Sequence, residues 1–153
     1  TLSLHDALPI FIPNDVVENC IQMSAMSGVD VRIMIPARSD SRLSDACTFS
    51  YMGRLLEAGV KVYRYTEGFL HSKAIVIDDF IPIVGSANLD ERSFNQNFEA
   101  NAFIYEEKTA YRLKELFFRD MQNCEELTLE AWTNRRRRQK LKESFARLFS
   151  PLM

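Results

Sequence analysis

The sequence predicts a layered α/β domain, and three observations predict it. Short apolar runs of strand length alternate with longer stretches of helical periodicity. Glycines and prolines fall at the joints between them. No apolar run approaches the ~20 residues of a membrane-crossing helix, and Ala74 to Ile77 and Phe80 to Val84 are strand-sized. With 153 residues, 46% hydrophobic and 26% charged, the chain can bury one sizeable core.

The elements follow in order. Residues 1–10 (Thr1-Leu-Ser-Leu-His-Asp-Ala-Leu-Pro-Ile10) fit no element that follows. They read like the conceptual translation of a DNA-sequencing adapter. They are therefore set apart as a non-native leader, which implies a natural chain cut upstream. Phe11-Ile12-Pro13 reads as the end of a strand. Asn14 or Asp15 caps a helix running to Ser27, with Val17, Cys20, Ile21 and Ala25 on one face and Gly28 as its stop. Val29 to Ile35 is a strand closed by Pro36, and Ala37 to Ala46 a polar loop. Phe49, Met52, Leu55 and Leu56 form the apolar face of a second helix ended by Gly59. Strands are expected at Val60 to Tyr65, Leu70 to Asp78, Ile81 to Gly85 and Phe98 to Tyr105. Pro82, inside one of them, marks an edge or a bulge. A helix from Thr109 to Cys124 turns Leu113, Leu116, Phe117 and Met121 inward. The domain so defined covers 11–132, and 133–153 is a basic tail.

Cys20, Cys47 and Cys124 form no C-x-x-C pair, so a zinc site or a disulfide framework is not expected. The three read as small core residues of a reducing compartment. The net charge of −2 conceals an asymmetry: the tail carries +6 and the rest −8. A basic tail on an acidic body suits an anionic surface, and no nucleic-acid partner is expected of so acidic a body. Arg135 to Arg138 are followed by Leu141, Phe145, Leu148 and Phe149 at helical spacing. Such a basic amphipathic helix can lie on an anionic bilayer, with Trp132 as an anchor, or pack against its own domain.

The chemistry concentrates in eighteen residues. His71, Ser72 and Lys73 precede Asp78 and then Gly85-Ser86-Ala87-Asn88. On an extended chain His71 and Lys73 face the same way, ~7 Å apart along the strand, about the span of a bridging phosphate. A lysine is a point cation for phosphoryl oxygens, and a histidine can attack or donate a proton near neutrality. Ser86 and Asn88 offer neutral donors after the turn that Gly85 permits, and Asp78 is assigned to bracing the structure.

The pattern His71-x-Lys73-x4-Asp78-x6-Gly85-Ser86-x-Asn88 resembles the HKD motif of the phospholipase D superfamily. Its extension, Asn88-Leu89-Asp90-x-Arg92-Ser93-Phe94-x2-Asn97-x-Glu99, resembles the C-terminal half of bacterial cardiolipin synthases. So do Gly28 to Ile33, Leu55 to Val62, Gly68 to Lys73 and the ending Leu148 to Met153. The resemblance implies an α/β/α sandwich with a mixed central sheet and a reaction with no metal and no cofactor. It implies that His71 is one of two active-site histidines and that Lys73, Ser86 and Asn88 hold the phosphoryl group. Glu99 would orient the histidine. A phosphatidyl group would pass through phosphohistidine from one phosphatidylglycerol to another, at the bacterial inner membrane. The second HKD half and the membrane helices of such synthases have no counterpart in this sequence. Two alternatives stand beside this reading: a single-motif phosphodiesterase or nuclease active as a homodimer, and an inactive membrane-binding fragment.

Overall fold

A computed structural model describes residues 2–39 and 41–148. Its elements are β1 (Ser3–Ala7), β2 (Phe11–Ile12), α1 (Asp15–Met26), β3 (Asp30–Pro36), α2 (Arg42–Glu57), β4 (Lys61–Tyr65), β5 (Ala74–Ile77), β6 (Ile81–Gly85), β7 (Leu89–Asp90), α3 (Glu91–Asn95), β8 (Asn101–Phe103), α4 (Glu107–Met121), β9 (Cys124–Leu127), α5 (Leu129–Thr133) and α6 (Arg137–Arg147). Seven strands form one mixed sheet in the order β8-β6-β5-β1-β3-β4-β9, and β2 pairs with β7 apart from it. β1 runs parallel to β3 and antiparallel to β5.

Helices cover the sheet on both faces. α1, α2 and β2 close the larger core, in which Phe11, Ile33, Ile35, Met52, Leu55 and Val62 are buried almost completely. α4 covers the other face, where Phe117 packs on Met34 and Leu70. α1 starts as its sequence dictates: Asn14 caps it by accepting from the Val17 N–H at 3.0 Å.

Several sequence expectations are corrected. Residues 1–10 were expected to join no element, yet Ser3–Ala7 is β1, an interior strand of the sheet. A backbone can enter a sheet ladder whatever its side chains, because the ladder bonds belong to the main chain. The polar loop at Ala37 to Ala46 ends early: Ser41 accepts from the Ser44 N–H at 3.3 Å and α2 begins at Arg42. Cys124, placed at the end of a helix, instead starts β9, which pairs antiparallel with β4. Of the cysteines only Cys47 is buried; Cys20 is exposed. Leu116, expected inward, is 41% exposed, so Phe117 carries the contact of α4 with the sheet.

Pro82 sits within β6, which has a neighbour on each side. Its carbonyl accepts from the Ile104 N–H at 2.9 Å, beyond the last rung of β8. Carbonyl and nitrogen of one strand residue face the same side, so the missing donor costs no bond to β5.

α6 packs on α2 through buried Ala146 and Glu143, while Leu141, Phe145 and Leu148 remain exposed on its outer side. Phe149 lies outside the described residues. Trp132 does not stand free as an anchor: it is half-buried, tilted against Phe49 at 6.4 Å.

Candidate active site

The site is built on the β5–β6 hairpin and the chain that leaves it. Asp78 and Asp79 make the turn with positive φ, 52° and 58°, a conformation that Asp tolerates. Asp78 is tied to β1, accepting from the Ser3 N–H at 2.8 Å. It therefore stands at the turn, at the opposite end of β5 from His71.

β5 begins at Ala74, so His71 and Lys73 lie in the extended lead-in rather than on the strand. The ladder still reaches Lys73, whose carbonyl accepts from the Gly85 N–H at 3.1 Å. Lys73 Nζ lies 3.1 Å from His71 Nε2 and donates to the His71 carbonyl at 3.2 Å. An ammonium has no lone pair, so this contact is a hydrogen bond when the imidazole Nε2 is the acceptor. The His71 ring is exposed and stacks on Phe69, centroids 5.3 Å apart. Partial burial lowers the Lys73 pKa, against the charges of Glu99 and Asp90, which raise it.

Gly85 is required for close approach rather than for positive φ. A Cβ there would run into the Asn101 side-chain oxygen and the Ala100 carbonyl. Past it the chain turns at Ser86, whose N–H donates to the Ala100 carbonyl at 3.0 Å. The Asn88 N–H donates to Ser93 Oγ at 3.1 Å, and Asn88 Oδ1 is buried with no partner among the described residues.

Glu99 gathers the corner together. Ser86 Oγ donates to one of its oxygens; Ser93 Oγ, at 3.2 Å, and Asn97 Nδ2, at 3.1 Å, donate to the other. These bonds, Ser86 first, hold its carboxyl below the ordinary range, with a contribution from Lys73. No hydrogen bond joins Glu99 to His71 among the described residues. The structure thus joins His71 to Lys73 and Ser86 to Glu99, and links the two pairs through charge.

Ser93 and Asn97 belong to the motif extension, and only the structure gives them roles. Ser93 is buried and bridges Asn88 to Glu99, while Asp90 caps α3 by accepting from the Ser93 N–H at 2.7 Å. The available signal was the spacing Asp90-x-x-Ser93, an N-cap signature. Among the described residues no cluster of three or more His, Cys, Asp or Glu could hold a metal ion. No helix among them is long and apolar enough to cross a membrane.

A histidine and a lysine meeting without a carboxylate between them, beside neutral donors, have the chemistry to receive a phosphoryl group. The fold around it is that of the phospholipase D superfamily. The family model described as "Cardiolipin synthase, PLD-like domain" matches residues 3–121, and the chain belongs to that family. It is 45% identical over 145 residues to a cardiolipin synthase of Clostridium perfringens, covering 95% of this chain and 30% of that protein. It is 47% identical over 151 residues to cardiolipin synthase 1 of Staphylococcus aureus, covering 99% of this chain and 31% of that protein. The chain thus spans about 30% of the length of these curated relatives. Among solved structures the fold resembles the phospholipase D family member Nuc of Salmonella typhimurium, with a TM-score of 0.71, 21% identity and 82% of each chain covered. It also resembles a phosphatidylserine synthase of Haemophilus influenzae, with a TM-score of 0.71, 18% identity, all of this chain and 42% of that one.

Proposed function

We propose that this chain supplies one half of the active site of a phosphatidyltransferase that makes cardiolipin from phosphatidylglycerol. The observation that carries it is the contact between Lys73 Nζ and His71 Nε2 at 3.1 Å on an exposed edge. An incoming phosphodiester gives Lys73 a better acceptor than an imidazole, and the freed Nε2 lone pair then faces phosphorus. One of two histidines attacks: its N–P bond forms as the P–O bond to glycerol breaks, and the second histidine gives the leaving alkoxide a proton. The hydroxyl of a second phosphatidylglycerol then displaces the first histidine and returns a proton to the second. His71 fills one of these roles, and a histidine from the other HKD half fills the other. Lys73 and Asn88 hold the phosphoryl oxygens, and Ser86 joins them by turning its hydroxyl proton from Glu99 to the substrate. Exposed Phe69, Phe94 and Phe103 flank these residues, which suits an edge covered by the other half or by lipid. The anionic membrane is both the source of substrate and the surface on which the protein acts.

The test is cardiolipin and glycerol formation from phosphatidylglycerol by the whole protein. His71→Ala lowers turnover by about a thousandfold or more. Undiminished turnover in that variant refutes the mechanism.

The adapter-like reading of residues 1–10 belongs here as well. Four of the six buried polar side-chain atoms without a partner among the described residues are on β1: Ser3 Oγ, both His5 ring nitrogens and Asp6 Oδ1. Side chains so poorly matched to their place support a non-native origin for this strand.

A further inference from the structure

We propose a second phosphate-binding site, in the crevice between α2 and the C-terminal segment, that takes a phosphate mono- or diester. It shares no residue with the His71 site. The crevice has a volume of about 250 Å³, far above the ~10–15 Å³ that a single water needs. Arg54, Arg135, Lys140 and Arg147 line it.

Their charges are not all matched. Arg135 is spent, held at 2.7 Å by both oxygens of Glu143. Arg54 and Arg147 converge on one oxygen of Glu18, at 3.5 and 3.0 Å. Two guanidinium groups therefore share a single carboxylate. Lys140 Nζ donates to the Thr133 carbonyl at 2.7 Å, a neutral partner. Glu57, on the last turn of α2, is the other acid of the lining and offsets one of these charges, so the wall stays net positive. Ser144 adds a hydroxyl to the wall, while the Ser50 hydroxyl is already given to the Cys47 carbonyl at 2.6 Å.

Arginine forks and a lysine point charge with a hydroxyl beside them are a chemistry for phosphoryl oxygens. Arg54 has a side chain 58% exposed and can swing from Glu18 onto a ligand, leaving Arg147 to neutralise that acid. α6 favours a phospholipid headgroup over a free phosphate. Leu141 and Leu148, 70% and 73% exposed, project from the same helix that walls the crevice, where acyl chains would lie.

The experiment uses the chain's single tryptophan, Trp132, which itself lines the crevice. Its emission is followed in a His71→Ala/Lys73→Ala background, so that phosphate held by the catalytic pair does not contribute. The probes are inorganic phosphate and phosphatidylglycerol vesicles, with sodium chloride of equal ionic strength and phosphatidylcholine vesicles as controls. The expected result is a saturable change whose half-saturation rises at least tenfold in Arg54→Gln/Lys140→Gln, and severalfold in Lys140→Gln alone. Circular dichroism and thermal melting show that the variants remain folded. A response to phosphatidylglycerol over phosphatidylcholine identifies a lipid headgroup site. A response to inorganic phosphate alone identifies a site for the free ion. No saturable change with either probe, or an equal change in the double variant, overturns the proposal. Because His71 and Lys73 are absent throughout, that failure leaves the catalytic reading untouched.

Discussion

Asp6 and Glu18 are both acids buried to within 2% of full coverage, and they are held in opposite ways. Glu18 on α1 receives Gln22 at 3.2 Å on one oxygen and the two arginines of α2 and α6 on the other. Asp6 shares a face of β1 with Leu4, which packs on the larger core, and its Oδ1 has no partner among the described residues. Burial pushes the Asp6 carboxyl well above its ordinary range, and a backbone hydrogen bond from Ala7 offsets this only in part. A buried carboxylate costs little when the fold brings charge to it, and it costs its full desolvation when nothing arrives. His5, beside Asp6, shows the same defect on the other face. It stacks on Phe117 at 5.2 Å, and burial, helped by Arg32 and Lys114, lowers its pKa to about 4.

The largest effect comes from removing the defect. The double variant His5→Leu/Asp6→Val raises the unfolding free energy by roughly 2–5 kcal/mol, because it relieves unpaired buried polar groups at about 1–3 kcal/mol each. Urea denaturation measures it, and a loss of stability instead would show that β1 is well fitted to its slot.

Next come two pH dependences of opposite sign. A depressed histidine pKa gives stability that is complete above pH 6.5 and lost as pH falls toward 4. Asp6→Asn isolates this contribution: stability climbs by up to about 3 kcal/mol from pH 4 to 6.5. A raised carboxyl pKa works the other way: its contribution is complete below 3.8 and lost as pH rises through the native value. His5→Leu therefore leaves a protein that weakens as pH rises. Denaturation at pH 4.5 and 7 separates the two, and equal slopes would sink the account.

Glu18→Gln is the counterpart on the well-paired side. It lowers stability by about 2 kcal/mol, less than a sealed ion pair because Arg54 and Arg147 reach solvent. Hydrogen exchange should show α6 loosening first, since Arg147 ties α6 to α1. The smallest effect is Ser86→Ala, which removes the strongest of the bonds on Glu99. Its carboxyl pKa then rises toward 4.5, as read by carbon NMR titration. An unmoved pKa would assign the depression to Asn97 first, with Ser93 and Lys73.

The sequence was most legible where one local rule was enough. Asn14 before an apolar period gave α1, and glycines after Ser27 and Ala58 gave the helix stops, both with positive φ in the structure. Ser41 obeys the same capping rule at α2, but the polar turn after it hides the start of the helix. β9 was not legible: Cys124–Leu127 has no strand pattern of its own and exists because the edge of β4 was open.

By itself the sequence determined the α/β class, most of the helices and strands, and the family signature from His71 to Glu99. These depend on periodicity, caps and residue types that act over a few positions. Only the tertiary structure decided that β1 enters the sheet, that Gly85 is needed for the approach of β8, and that Ser93 ties Asn88 to Glu99. It alone set which buried acid found its cations: Arg147 lies 129 residues from Glu18, and no local pattern records a partner at that distance.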